Sequence, residues 1–450
     1  MKNHVLDGIM GLCVADALGV PVEFMSRETL RKNPVIGMRG FGTHNQPAGT
    51  WSDDTSMTLC LLDSLSDGLN YQDIMSNFKT WLTDGYYSPH GEAFDVGIAT
   101  RQAINRFITG TDPLKCGGLD ERDNGNGSLM RILPLLFYIQ FMHGTDFQEV
   151  DEAFDMIHQV SKLTHAHKRS QISCGIYLSV ASMLLGSMDL KIAVELGIYK
   201  AVEYYKQKQE FERELCNFSR LFEKNFGDIG ESEIKSSGYV VDTLEAAIWC
   251  LLNTKSYKES VLMAVNLGED TDTVAAVTGG LAGLYYGFEN IPSEWIRQIV
   301  KKDNISDLSN KLHLSMMKRS IDRLTVFIPY FENVSNEEAC HWCGGEKLGE
   351  NHFSMAYPVY EQTLEDFTQA VYKSNLISYN YFEVIEQYGL QGTQEMNMAI
   401  GDAGLELTLA ILTGYIRQER FCDGLWKTAV EDKTFLKILR RLERLMSERK

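Results

Sequence analysis

The chain has 450 residues, 44% of them hydrophobic and 23% charged, and carries a formal net charge of −18 at pH 7. Its length and apolar share suffice for one large core and a smaller one, while the acidic balance argues against nucleic-acid backbones and anionic membranes as general partners. Nine cysteines, an odd number without repeating spacing, read as reduced thiols of a cytoplasmic protein. The opening Met1-Lys2-Asn3-His4 carries little positive charge, and the apolar run behind it is interrupted by Asp7 and Asp16. Neither a signal peptide nor a membrane span is expected there.

Along the chain the patterns are mostly helical. After Gly49-Thr50-Trp51, the cluster Ser52-Asp53-Asp54-Thr55 leads into Met57 to Leu65, whose apolar positions recur every three or four residues. Residues 98–107, 172–185 and 244–252 show the same helical spacing. Asn124-Gly125-Asn126-Gly127-Ser128 is a turn-forming stretch whose small residues could let backbone N–H groups approach a diphosphate. It precedes a helical-looking run from Leu129 to Phe137, whose N-terminal end would favour an anion. Residues 200–236 are rich in Lys, Glu and Gln, with Phe211, Leu215, Phe218 and Phe222 as a sparse stripe, and read as a solvated rim. A second acidic cluster, Asp270-Thr271-Asp272-Thr273, opens the run Val274 to Leu284, rich in small residues that permit close approach of helix backbones.

Either acidic cluster alone reads as helix capping, with carboxylates at the positive end of a helix dipole. Both together would be expensive to bury beside apolar helices unless cations compensated them. Oxygen-only donors suit Mg²⁺ or Mn²⁺ and not zinc. From Asp322 to Glu337 the composition shifts, and an aromatic-rich segment follows, ending in an amphipathic helix from Phe435 to Met446. Cys340-His341-Trp342-Cys343, with His352 beyond it, is too short of a second cysteine pair to favour structural zinc over ordinary thiols.

Further motifs stand around the two clusters: Gly8-Ile9-Met10-Gly11, Asp16-Ala17-Leu18-Gly19-Val20-Pro21-Val22-Glu23-Phe24, Phe94-Asp95-Val96-Gly97, the stretch from Asn124 to Arg131, and Thr164-His165. In this order they resemble the ADP-ribosylglycohydrolase family, most of all its bacterial branch typified by dinitrogenase reductase-activating glycohydrolase. Ala15 stands where many relatives have Gly. The resemblance implies an all-α, compact multi-helix bundle over residues 1–325 with a central binuclear metal cleft, followed by a smaller helical domain of unknown function over 335–450. It implies two Mg²⁺ or Mn²⁺ ions held by Ser52, Asp53, Asp54, Asp270, Asp272 and Thr273. Glu23 and Asp95 would be the catalytic carboxylates, unranked; from the residues alone, Glu23 reads as a rim carboxylate and Asp95 as a helix cap. Gly97, Asn124, Gly125, Asn126, Gly127, Ser128 and His165 would bind substrate, although a lone histidine is usually a satisfied interior residue. The implied activity removes ADP-ribose from a protein or small conjugate, arginine-linked first, with serine- or nucleobase-linked acceptors open. A phosphoester hydrolase is a second enzymatic reading. A non-catalytic ADP-ribose-binding or immunity module, with a protein partner on the C-terminal domain, is the remaining one.

Overall fold

In a computed structural model, the described backbone comprises residues 2–186, 188–349 and 352–448, with all their side chains but those of 348, 349, 352 and 353. The N-terminal apolar run is the helix His4–Gly19, capped by the Asn3 side chain, which accepts from Leu6 N. It is apolar nearly all round, and such a helix belongs inside a protein or a bilayer. With the turn to Val22 it is long and apolar enough to cross a membrane, and 94% of that apolar window is buried inside the fold.

Its main neighbour is the helix Thr271–Tyr286, which also meets Asp53–Asp67, Lys168–Leu184, Val240–Leu252 and Tyr257–Asn266. Thr271–Tyr286 is thus the central helix, buried from Thr271 to Leu284. The small residues allow backbone-to-backbone contact: a Cβ added at Gly11 would lie 2.4 Å from the Gly279 carbonyl oxygen, and one at Gly283 would lie 2.2 Å from that of Asp7. Tyr257 donates its hydroxyl to the Gly11 carbonyl at 2.6 Å, tying a third helix to the pair.

Helices stand at Ile98–Ile108, Lys168–Leu184 and Val240–Leu252, over the spans their spacing predicts. The run after the Asn-Gly stretch departs from expectation. Residues 127–131 form turns, and the helix starts only at Pro134, spanning Pro134–His143. Proline is favoured in the first helical turn, where its missing N–H would have no intrahelical partner anyway, and Pro134 stands at this start. The Asn124–Ser128 stretch therefore does not sit on a helix N-terminus. In the charged 200–236 segment, Phe211 and Phe218 are fully buried while Phe222 is exposed, so the sparse stripe anchors this segment to the core.

By contact the chain divides into two compact units, Lys2–His313 and Leu314–Lys450. The division falls inside the helix Lys302–Thr325, earlier than the composition shift. The second unit has its own core, in which Phe367 contacts Phe331 and Phe435 at ring-centroid distances of 4.9 and 5.1 Å. Its last helix, Thr434–Ser447, buries one face there. This unit also contains short antiparallel ladders: Cys340–Cys343 pairs with Tyr357–Tyr360, and Lys347–Gly349 with His352–Phe353. Successive side chains of a strand point to opposite faces, so Cys340 and Cys343 do not converge on one ion; the His352 side chain lies outside the described residues. All nine cysteines are free thiols.

Candidate metal centre

The helix Asp53–Asp67 begins with Ser52 as N-cap, its Oγ accepting from Asp54 N at 3.3 Å. A second acceptor holds this start from outside. The Asp16 carboxylate, on the N-terminal helix, accepts from Ser52 N at 3.0 Å, from Thr55 N at 3.1 Å and from the Thr55 hydroxyl at 2.6 Å. Burial raises Asp16 to about 6 despite these donors. Asp16 thus fixes the direction in which Asp53 and Asp54 are presented, a role its sequence context did not reveal.

The other half is brought in by the central helix. A Cβ on Gly19 would lie 2.3 Å from Asp272 Cα, and the Thr271 hydroxyl donates to the Gly19 carbonyl at 2.9 Å, so the two backbones touch beside the cluster. Phe24 and Glu269 both have φ near +63°, and they are clamped by Phe24 N donating to Glu269 O at 2.6 Å and Glu269 N donating to Met25 O at 2.8 Å. Non-glycine residues in the left-handed region are uncommon and gather where function dictates the backbone. The clamp brings the Glu23 segment beside the start of the central helix.

Across this junction the Thr273 hydroxyl donates to Asp54 Oδ1 at 3.3 Å. The other Asp54 oxygen, Oδ2, is fully buried and has no hydrogen-bond partner. Glu23, Asp270 and Asp272 bring one carboxylate oxygen each within 4.8 Å of one another. Asp54 and Asp272 are 0% and 1% exposed. Burial, reinforced by the neighbouring carboxylates, holds Asp53, Asp54 and Asp272 well above the usual carboxylate range. Asp270 is raised by burial too, against the opposing donation of Asn126, whose side-chain amide reaches Asp270 Oδ2 at 2.9 Å and the Thr243 hydroxyl at the same distance. Carboxylates gathered in a low-dielectric site without a partner cation are costly. The orphaned Asp54 oxygen and the all-oxygen donor set fit hard divalent cations.

Glu23 and Asp95 border the cluster. Burial first, then the Asp95 and Asp270 charges, lift Glu23 to about 8, against the opposing bond from His44. His44 Nε2 hydrogen-bonds Glu23 Oε2 and stands 3.9 Å from Asp95 Oδ1. That bond leads the upward shift of His44 itself. Asp95 has φ +56° and does not cap the following helix, whose N-cap is Gly97. His44 escaped the sequence reading; the only local signal is the turn Gly40-Phe41-Gly42-Thr43 before it.

The Asn124–Ser128 stretch is divided in its contacts. Gly125 bridges to Tyr239, and Asn126 N donates to Gly238 O at 3.1 Å. Asn124 keeps a buried Oδ1 without a partner. Ser128 turns inward, its Oγ accepting from Ser161 at 3.0 Å, and is fully buried. Arg131 is also fully buried, bonded to the Gly127 and Val160 carbonyls. His165 is 2% exposed, with Nδ1 bonded to Thr164 Oγ1 at 2.8 Å and its ring against Gly127. Burial, then the Arg131 charge, lowers it to about 3, so it is a neutral imidazole. A third acidic group, Glu121, His167 and Glu214, already holds a cation, because Arg169 bonds Glu214 at 2.8 Å and Glu121 at 3.1 Å.

Residues 1–321 match the family described as ADP-ribosylglycohydrolase, and residues 316–448 match a family of unknown function, DUF6508. The chain is 31% identical over 315 residues to the "ADP-ribosylarginine hydrolase Tri1" of Serratia proteamaculans (strain 568), covering 68% of this chain and 77% of that one. It is 30% identical over 309 residues to the "ADP-ribosyl-[dinitrogen reductase] glycohydrolase" of Rhodospirillum rubrum, covering 67% and 92%. Among solved structures it is similar to an "ADP-ribosylglycohydrolase-related protein complex", with a TM-score of 0.56 and 29% identity, covering 70% of this chain and 98% of that one.

Proposed function

The chain belongs to the ADP-ribosylglycohydrolase family, and we propose that, as a hydrolase of ADP-ribosylated acceptors, it cleaves the N-glycosidic bond between ADP-ribose and an arginine guanidinium on protein. In this proposal two Mg²⁺ or Mn²⁺ ions are held by Ser52, Asp53 and Asp54 on one side and Asp270, Asp272 and Thr273 on the other. The observation that carries it is the meeting of the two helix starts through Thr273 and Asp54, with one Asp54 oxygen buried and partnerless. The arginine linkage is supported by the similarity to the ADP-ribosylarginine hydrolase of Serratia proteamaculans.

Such ions, when bound, would orient the ribose hydroxyls and offset charge near the bond being broken. The protein supplies the rest. An arginine guanidinium already carries the proton its leaving nitrogen needs. Hydrolysis therefore asks for a carboxylate that takes a proton from water and steadies an oxocarbenium-like transition state. Glu23 and Asp95 are the candidates bordering the cluster. Asp16 and Asn126 keep Asp54 and Asp270 aimed, through the helix start and the amide bond respectively. The nine free thiols support a cytoplasmic location within the same proposal.

The test is release of ADP-ribose from arginine-linked and serine-linked protein, with Mg²⁺, Mn²⁺ or chelator, for wild type and Asp272→Ala. Release from the arginine conjugate, only with cation and only in wild type, is the expected result. Release confined to the serine conjugate overturns the linkage, and release of AMP or inorganic phosphate overturns the bond.

A further inference from the structure

Glu23 belongs to a segment that a second loop grips. Phe41 N donates to Gln46 O at 2.5 Å, closing a loop over residues 41–46. Inside it Gly42 has φ +71°, and a Cβ there would lie 1.9 Å from the Pro21 carbonyl oxygen, so only glycine lets this loop approach so closely. Thr43 donates its hydroxyl to the Glu23 carbonyl at 2.6 Å. The next residue, His44, hydrogen-bonds the Glu23 carboxylate, stands 3.9 Å from the Asp95 carboxylate, and is 16% exposed. Its ring neighbours those of Phe24 and Phe94, at centroid distances of 6.1 and 5.5 Å. One imidazole thus connects the segments that carry both carboxylates.

We propose that His44 is a positioning residue for the hydrolysis: through its bond to Glu23 and its approach to Asp95, it holds the two carboxylates at the acceptor side of the metal cluster. This rests on the reading of Glu23 and Asp95 as the working carboxylates. A glutamate has several rotatable bonds, and Glu23 faces the like charges of Asp95 and Asp270. Without the bond from His44, which stands against both Glu23 and Asp95, that repulsion turns Glu23 away from the cluster. A displacement of about 1 Å costs on the order of a hundredfold in rate.

The experiment compares wild type, His44→Ala and His44→Gln in steady-state hydrolysis of an arginine-linked conjugate, each with a crystal structure. Glutamine can place its amide nitrogen near the position of Nε2. The expected result is a fall in kcat of about a hundredfold in His44→Ala with KM changed by less than about twofold, partial recovery in His44→Gln, and recovery of His44→Ala on adding imidazole. A kcat within about twofold of wild type in His44→Ala overturns the proposal. So does a loss that neither glutamine nor imidazole relieves. Should wild type release nothing from the arginine conjugate, the linkage proposed above fails, while the structures still judge His44. A Glu23 carboxylate unmoved in His44→Ala overturns the positioning role, and one turned away in His44→Ala and restored in His44→Gln upholds it.

Discussion

Asp54 has one oxygen that accepts from Thr273 and another that meets nothing. An unpartnered buried acceptor costs about 1–3 kcal/mol, so Asp54→Asn in chelator should unfold no more easily than wild type, because the amide can donate to the surrounding carboxylates. Activity should nevertheless fall by more than about a hundredfold, beyond the usual loss for an outer-shell partner. A chemical melt and an ADP-ribose release assay on the same preparation separate the two effects. Asp16 and Glu23 extend the argument to pH. Their folded values, about 6 and about 8, lie above their ordinary 3.8 and 4.5, so without cations the folded state holds more protons than the unfolded one. Their contribution to stability is therefore full below about pH 4 and is lost as pH rises through about 6 and then about 8. In chelator, melting temperature should fall across that window. Added Mn²⁺ should raise it, more at about pH 8 than at about pH 5.5, since cations bind the deprotonated carboxylates. An equal shift at both values would contradict binding at this cluster. The two acidic helix starts that meet were legible because hydroxyl and carboxylate residues open two apolar helices. Asp16 and His44 were not, since one is a lone acid in an apolar run and the other follows a glycine turn without period; only their contacts give them a task.

Helices here are packed by what they lack. Gly11 and Gly283 meet opposing backbone, which cannot swing aside as a side chain can, so Gly11→Ala should sit at or above the upper end of the usual overpacking cost of about 1–3 kcal/mol. Gly401 has nothing within 4 Å of an added Cβ, and alanine there should change stability by less than about 0.5 kcal/mol. Urea denaturation of the two variants checks the contrast, and equal effects would show that the contact does not constrain the helices. The run of small residues from Val274 to Leu284 made this close approach readable in the sequence, as helical periodicity did for Ile98–Ile108 and Val240–Leu252. The late start at Pro134 was readable in principle, because a proline bounds a helix more strongly than apolar spacing extends one. The ladders at Cys340–Cys343 and Tyr357–Tyr360 were not, because strands of this length carry too few alternations to register against an aromatic-rich background.

At the scale of the whole molecule, the helix Lys302–Thr325 poses the remaining question, since the division between the two compact units runs through it at His313 and Leu314. Its first part belongs to the first unit: Ile305 and Leu312 are fully buried, and Lys311 pairs with Asp63 at 2.7 Å. Its last part supplies Met317, Ile321 and Leu324 to the core of the second unit. The place of truncation therefore matters more than its sequence length suggests. A chain ending at His313 keeps Ile305, Lys311 and Leu312 of this helix and should release ADP-ribose from a small arginine conjugate with the kcat/KM of the full chain. A chain ending at Thr325 should be equally active but associate at higher concentration, because it leaves Met317, Ile321 and Leu324 without the core that covers them. Light scattering and turnover of both truncations decide it. If both fold by circular dichroism yet lose turnover, the second unit contributes to hydrolysis itself. If the shorter chain is the one that associates, the helix belongs to the first unit beyond the point where contacts divide it.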